Sequence, residues 1–417
     1  MRSIAALFGA LLVFATAGAA TPVPTPGWQA VWATATQRPG DGFNWSTVGF
    51  ENQSVRQVVR VSGEGSVLRV RLSNTFGTQP LQVSGATIAR SAGGAAVHPD
   101  TLRPLTIEGE TAFRIAAGTE AVTDLVVLPV VPLEALTMTL YFADPTGPAT
   151  YHDQSHRTSY LAWDDHRSDT AGDVYDVTSS SMYYLAAVET MNWLPRRSAV
   201  AVFGDSFTEG VGSTPNGNST FPDELAEQLA AQGRPRAVLN LGINGNCVTV
   251  DSQWLGDSAL TRFRRDVLDQ PGLGTVVIQE GINDIWNGIW LQGENMALGG
   301  PPHGVSAGEL IAGYRSLIGQ ARAAGLRVIG ATIPPVGGSG FDNGDRVRFA
   351  ERDGVRKAVN DWIRTSGEYD AVADLAAALA DPADRDRLAP GFDSGDHLHP
   401  NDAGHAAMAA AVAAVLD

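Results

Sequence analysis

Four short segments of this chain carry groups able to attack a carbonyl carbon, take up the nucleophile's proton and hold the charge that results. Gly204-Asp205-Ser206-Phe207-Thr208 offers a serine hydroxyl, which is a weak nucleophile at its free pKa and needs a neighbouring base. Thr208 stands where a G-x-S-x-G elbow would have its second glycine, so that pattern does not apply, and a GDS tripeptide alone is more often a turn. Asn240-Leu241-Gly242-Ile243-Asn244-Gly245-Asn246 brings glycines. The N–H of Gly242 could point at a developing oxyanion, or Gly242 and Gly245 could simply make a tight turn. Glu280-Gly281-Ile282-Asn283-Asp284 supplies Asn283, whose amide is a neutral donor for an oxyanion or, alternatively, the start of an Asx turn.

The fourth segment is Asp393-Ser394-Gly395-Asp396-His397-Leu398-His399-Pro400-Asn401-Asp402. Asp396 and His399 are three apart, so on a helical turn they share a face, and a carboxylate on one ring nitrogen leaves the other free to take a serine proton. Asn401 or Asp402 reads as the cap of a final helix. Asp396, His397, His399 and His405 also form a His/Asp cluster of the kind zinc or iron would use. His405 falls in an alanine-rich helix, where a structural role is the better reading.

These segments need a scaffold, and the pattern of apolar residues describes one. After Pro195, apolar runs (199–203, 238–241, 275–279, 327–333 and 369–375) alternate with amphipathic stretches at 222–232, 258–268, 307–324, 345–364 and 402–416. Such alternation implies a parallel sheet covered by helices on both faces, with reactive groups at the carboxyl ends of the strands. The first three chemical segments follow predicted strands directly. From Trp28 to about Tyr184 the character is different, with short strands such as 55–61, 67–72, 81–89, 125–131 and 136–142 between turn residues. Val67 to Leu72 alternates apolar and basic residues at period two, and Ser62-Gly63-Glu64-Gly65-Ser66 reads as a hairpin connection.

The 417 residues are 44% hydrophobic and 18% charged, which excludes a disordered, collagen-like or coiled-coil chain. With 29 basic against 45 acidic side chains the net charge is -16, so nucleic acid and anionic membrane are poor partners. One cysteine, Cys247, leaves no intramolecular disulfide and no CxxC metal or redox pair. Residues 1–20 read as a signal peptide: Arg2, an apolar run from Ile4 to Phe14, then small residues at Ala15, Ala17, Ala19 and Ala20. That run is short of the roughly 20 residues needed to span a bilayer, so stable membrane insertion is not expected. Residues 21–27, with Pro22, Pro24 and Pro26, read as an extended linker.

In this order and with these neighbours, Gly204-Asp205-Ser206, Gly242, Gly281-Ile282-Asn283-Asp284 and Asp396 to His399 resemble the four motif blocks of the SGNH hydrolases, the GDSL esterase/lipase superfamily, from about Ser198 onward. The preceding part, including Asn74-Thr75-Phe76-Gly77 and Thr158-Ser159-Tyr160, is similar to the β-rich N-terminal domain of secreted bacterial members in the arylesterase/acetylesterase branch. The resemblance implies a flavodoxin-like three-layer α/β/α fold with a mainly parallel sheet over residues 197–417. An all-β, sandwich-like accessory domain would precede it over residues 28–190. It implies Ser206 as nucleophile, His399 as general base and then acid, and Asp396 as the carboxylate that orients it. Its oxyanion hole would combine the N–H groups of Ser206 and Gly242 with the Asn283 amide. Spacing to Asp396 and the family pattern favour His399 over His397 as the base. Trp286 and Trp290 follow the third block closely and read either as a platform for a sugar or aryl group or as core packing. Cys247 could line the pocket or serve as a small buried hydrophobe.

The expected enzyme is a secreted or periplasmic serine ester hydrolase working through an acyl-enzyme, with no cofactor and no metal. Its substrates would be short-chain acyl esters, acetyl groups on plant polysaccharide or aryl esters, because no apolar lid segment adjoins the motifs. Two alternatives stand beside it: a carbohydrate-binding protein with a degenerate hydrolase half, and a metallohydrolase built on the C-terminal histidines.

Overall fold

The computed structural model describes residues 27–192, 197–290, 304–342 and 344–416, except for the side chains of 287–290. The expected signal peptide, and the linker apart from Gly27, lie outside the described residues. Gly27 itself opens the first strand.

The N-terminal part is β-rich and antiparallel. One sheet orders the strands Gly27–Ala33, Leu185–Asn192, Gly65–Ser73 and Val126–Val130, with Glu120–Val122 also against Gly65–Ser73. A second is centred on Gln53–Arg60 and Ala135–Phe142, paired without a slip from Arg60 opposite Ala135 to Gln53 opposite Phe142. The period-two pattern places Leu68, Val70 and Leu72 in the core. Between them, Arg69 and Arg71 both reach the fully buried Glu189 of the neighbouring strand, so that carboxylate is paired from two sides.

One expectation fails here. Ser62–Ser66 does not close a hairpin, because the strands on either side enter different sheets. Neither Gly63 nor Gly65 has a positive φ. Both are glycine for room: a Cβ at Gly63 would lie 2.6 Å from Val31 Cγ1, and one at Gly65 would lie 2.5 Å from Thr190 Cβ. Alternation reveals a strand but not which strand it pairs with, so adjacent strands with a glycine turn mimic a hairpin.

The second half holds a five-stranded parallel sheet. Its strands in chain order are Ala199–Gly204, Val238–Gly242, Leu273–Gln279, Arg327–Ala331 and Ala371–Ala373, and in space they run second, first, third, fourth, fifth. The helices between them are α1 (Ser206–Glu209), α2 (Phe221–Ala231), α3 (Ala259–Phe263), α4 (Ile282–Trp290), α5 (Ala307–Ala323) and α6 (Arg346–Thr365), and α7 (Leu375–Leu379) and α8 (Asp402–Ala413) follow the last strand. α3 continues as a wider π-type turn over Arg264–Leu268. The order reverses between the first and third strands. That is the crevice where open α/β sheets place their ligands, and the chain leaves it through Ser206 on one side and Asn283 on the other. Among the described residues no helix is long and apolar enough to cross a membrane.

The two parts are joined by one continuous hydrophobic core. Ala30 N–H donates to Pro271 O at 2.9 Å, just before the third parallel strand, and Ser62 Oγ accepts from Val238 N–H at 2.7 Å, tying the β-rich part to the second. A segment of the β-rich part, residues 152–158, also braces the loop that follows α1 and the first turn of α2. Asn216 N–H donates to His156 O at 2.8 Å, Asn216 exchanges two bonds with Thr158, and Arg157 Nη2 pairs with Asp223 at 2.9 Å.

Candidate active site

The first parallel strand, Ala-Val-Ala-Val-Phe-Gly, is buried at every position. Gly204 ends it because nothing larger fits: a Cβ would sit 2.1 Å from Thr208 Oγ1 and 2.3 Å from Gln279 O. The chain then turns sharply into α1. Asp205 caps that helix, its Oδ1 accepting from Phe207 N–H at 3.1 Å, and burial pushes its carboxyl above the usual carboxylate range. Ser206 is therefore the first helical residue. Its hydroxyl lies at the strand end and its backbone N–H at a helix start, where donors lack intrahelical partners.

Opposite Ser206 comes the segment before α8. The expected helical turn is not there. Residues 393–400 form an irregular loop closed by a bridge between Asp393 and Pro400. Short polar side chains shape it by bonding their own backbone. Asp396 Oδ1 accepts from Leu398 N–H at 2.9 Å and from His399 N–H at 2.8 Å, while Asn401 caps α8 through Gly404 N–H at 3.1 Å. The i,i+3 spacing still brings the two groups together, by an Asx-type turn in place of a helix.

Within this frame His399 Nδ1 is 2.6 Å from Asp396 Oδ2, and His399 Nε2 is 2.9 Å from Ser206 Oγ. With Nδ1–H donating to the carboxylate, Nε2 keeps a lone pair for the serine O–H. Partial burial raises the Asp396 carboxyl, but the hydrogen bonds from the His399 ring and backbone outweigh that and hold it well below the usual range. The ring of Phe207 lies 5.5 Å from the imidazole. His397 makes a matching pair with Asp393 at 2.5 Å, but its side chain is 57% exposed and Ser206 is not among its partners. His405 is fully buried with Nε2 3.1 Å from Val211 O. The His/Asp cluster seen in the sequence thus separates, and among the described residues no three His, Cys, Asp or Glu side chains converge as a metal site would require.

The donors expected on the carbonyl side are placed unequally. Asn283 lies in the first turn of α4, and its Nδ2 donates to Asn246 O at 2.9 Å, which sets its amide against the turn after the second strand. Gly242 departs from expectation, since its N–H donates to Asn240 Oδ1 at 3.1 Å. Its lack of a side chain serves packing: a Cβ would fall 2.2 Å from Glu209 N. Gly245, three residues on, takes φ +75°, a conformation suited to glycine, and its N–H donates to no protein atom among the described residues.

Trp286 is a correction. It is fully buried, its ring stacked 4.9 Å from that of Phe341, so it belongs to the core and offers no platform to a ligand. The inward face of α4, with Ile282, Ile285 and Trp286, explains this, because a helix next to a motif buries one side like any other. The Trp290 side chain lies outside the described residues. Cys247 is buried, and burial pushes its thiol up.

Two residues that shape the site stand out only in three dimensions. Asn240 Nδ2 donates to Glu209 O at 3.1 Å, so one side chain joins the end of α1 to the end of the second strand. Asp284 accepts from Val248 N–H at 2.7 Å and from Thr249 N–H at 3.0 Å, locking the turn that follows Gly245 to the start of α4. Their motifs were visible in the sequence, but these partners were not.

Residues 202–407 match the model of the GDSL-like Lipase/Acylhydrolase family. Among solved structures, an acetylxylan esterase from Geobacillus stearothermophilus is similar at 23% identity, covering 52% of this chain and 93% of that one, with a TM-score of 0.38. A lipase/acylhydrolase from Enterococcus faecalis is similar at 21% identity over 52% of this chain and 94% of that one, also at 0.38. No curated protein matches the chain.

Proposed function

We propose, on the premise that residues 202–407 place this carboxylic ester hydrolase in the GDSL-like lipase/acylhydrolase family, that it cleaves short-chain acyl esters with Ser206 as nucleophile. The observation that carries this reading is the relay from Ser206 Oγ to His399 Nε2 at 2.9 Å and from His399 Nδ1 to Asp396 at 2.6 Å. His399 takes the serine proton as Oγ adds to the ester carbonyl, and Asp396 stabilises the imidazolium that forms. The same proton passes to the departing alcohol, leaving an acyl-enzyme. Water then enters by the reverse sequence and frees the acid.

The tetrahedral oxyanion would sit among the N–H of Ser206 at the start of α1, the N–H of Gly245 and the amide of Asn283. Gly245 replaces Gly242 in this role because the Gly242 N–H is already engaged by Asn240. Donors fixed before reaction lower the barrier most in a site that excludes water.

The finer readings keep their sequence basis. Acetyl or aryl esters are the proposed substrates, acetylated plant polysaccharide among them, because no apolar lid segment adjoins the motifs. Export rests on the leader-like residues 1–20. Residues 28–190 are read as a sandwich-like accessory domain and 197–417 as a three-layer catalytic domain, a reading supported by two antiparallel sheets and the parallel strand order given above.

The test is an acyl-chain series of p-nitrophenyl esters run beside acetylated xylan, with the parent and Ser206→Ala. Turnover that is highest at acetyl, blocked by a fluorophosphonate and lost in Ser206→Ala is the expected result. Highest turnover on long chains would overturn the short-chain reading, and undiminished activity in Ser206→Ala would overturn the mechanism.

A further inference from the structure

We propose that Arg262 is a positioning residue for ester cleavage, its one buried guanidinium holding in a fixed frame the three strand ends that carry Ser206, the 242–246 turn and Asn283. This rests on the serine-hydrolase reading above. Arg262 lies on α3, outside all four motif segments, and is 0% exposed. Each of its five N–H donors has an acceptor. Nε donates to Asn246 Oδ1 at 2.9 Å, Nη1 to Leu241 O at 2.8 Å and Asp266 Oδ2 at 3.1 Å, and Nη2 to Gly204 O at 2.9 Å and Glu280 Oε1 at 3.1 Å.

Four of those five acceptors sit at the carboxyl ends of the central strands. Gly204 ends the first strand, two residues before Ser206. Leu241 is next to last in the second strand. Glu280 follows the third strand and precedes Asn283 by three residues. The fourth, Asn246, presents its own carbonyl to the Asn283 amide at 2.9 Å. The guanidinium thus bonds to the residue two before Ser206, and to the residue that is next to Gly245 and whose carbonyl accepts from the Asn283 amide. Phe203 packs against its face at 4.0 Å, which holds the plane as well as the charge.

A planar fork with five donors can meet this set of acceptors in one orientation only, and an ammonium cannot reproduce it. The reaction is sensitive to such a frame, since a displacement of about 1 Å between reacting groups can cost on the order of 10²-fold in rate. Oxyanion donors act fully only when they are already in place. A residue that merely filled or tied the core would change how much protein folds, leaving the turnover of each folded molecule alone.

The experiment compares the full-length parent with Arg262→Lys and Asn246→Ala on p-nitrophenyl acetate. Competent sites are counted by fluorophosphonate titration, and folding is checked by melting. We expect kcat per titrated site to fall between about tenfold and on the order of 10²-fold, with KM within about twofold, in both variants. Adding Asn283→Ala to either should cost less than it does in the parent, because the amide is already displaced. Parental kcat per site in the folded variants would overturn the proposal, as would an Asn283→Ala loss that multiplies independently. Should Arg262→Lys fail to fold, Asn246→Ala is compared with Asn246→Asp, which keeps an acceptor for Nε but loses the bonds that Asn246 Nδ2 makes to Leu255 O and Asp257 O: a loss of kcat confined to Asn246→Ala supports the proposal, and an equal loss in both overturns it. A parent with neither turnover nor labelling overturns the serine-hydrolase reading and this proposal together; an active parent with unchanged variants overturns this proposal alone.

Discussion

At the scale of single residues, the chemistry depends on a few hydrogen bonds whose removal has distinct signatures. Ser206→Ala deletes the proposed nucleophile, so turnover should vanish while the melting temperature stays near that of the parent, as differential scanning fluorimetry would show. Asn283→Ala removes one of the proposed oxyanion donors and should lower kcat on the order of 10²–10³-fold with a small change in KM, read from steady-state kinetics on p-nitrophenyl acetate. Gly242→Ala tests a different claim. The Gly242 N–H is engaged by Asn240 and its Cα faces α1, so an added methyl should act by steric conflict with Glu209 N at 2.2 Å. Its expected effect is a loss of folded protein in urea unfolding, since a clash with backbone cannot be relieved by rotating a side chain.

Elements matter here through what they aim. α1 is only four residues long, yet its Asp205 cap and the sharp turn from a buried strand decide where the Ser206 hydroxyl points. The loop before α8 is similar in kind: it has no regular structure and is ordered by Asp393, Asp396 and Asn401 bonding to backbone groups. Asn401 serves twice, capping α8 and donating through Nδ2 to Gly391 O at 3.1 Å and Asp393 O at 3.2 Å. Asn401→Ala should therefore cost about 1 kcal/mol of stability as a lost cap, measured by urea unfolding. It should also lower kcat, because the loop that carries Asp396 and His399 loses its anchor.

Across the whole molecule, the β-rich part and the parallel sheet share a core, and that junction buries ionisable groups. His152 Nε2 faces Glu209 Oε1 at 3.6 Å, with both residues almost wholly inaccessible. Burial lowers the imidazole to about 4 and raises the carboxyl well above its ordinary value, so near neutrality the imidazole is uncharged and the contact is not an ion pair. His405 beneath the loop after α1 is likewise lowered to about 4 by burial. The sign of the pH effect follows. An unfolded histidine takes up a proton near pH 6.5 and these folded ones only near 4, so between those values the unfolded chain binds more protons and stability falls as pH falls. The raised carboxyls of Asp205 and Glu209 act in the opposite sense, so the histidine share is read as a difference: between pH 6.5 and 4, His405→Gln should lower the slope of unfolding free energy against pH by about 1.4 kcal/mol per pH unit relative to the parent, one proton's worth, as urea unfolding at several pH values would show. A chain beginning at residue 197 should not fold to an active enzyme, because cutting there exposes the apolar surface that the β-rich part covers.

Local order along the chain was enough to read the strands and helices of the second half, the β character of the first, and the four segments that meet at the crevice. Those features are written in hydrophobic periodicity, in turn residues and in the spacing of a few polar side chains, all of which act over a handful of neighbours. Strand partners, the irregular loop that carries His399, the engagement of Gly242 by Asn240 and the burial of Trp286 were settled elsewhere. So was the reach of Arg262 to three strand ends. Each depends on contacts between residues distant along the chain, where packing space and the need to pair every buried polar group select one partner among several that local pattern allows.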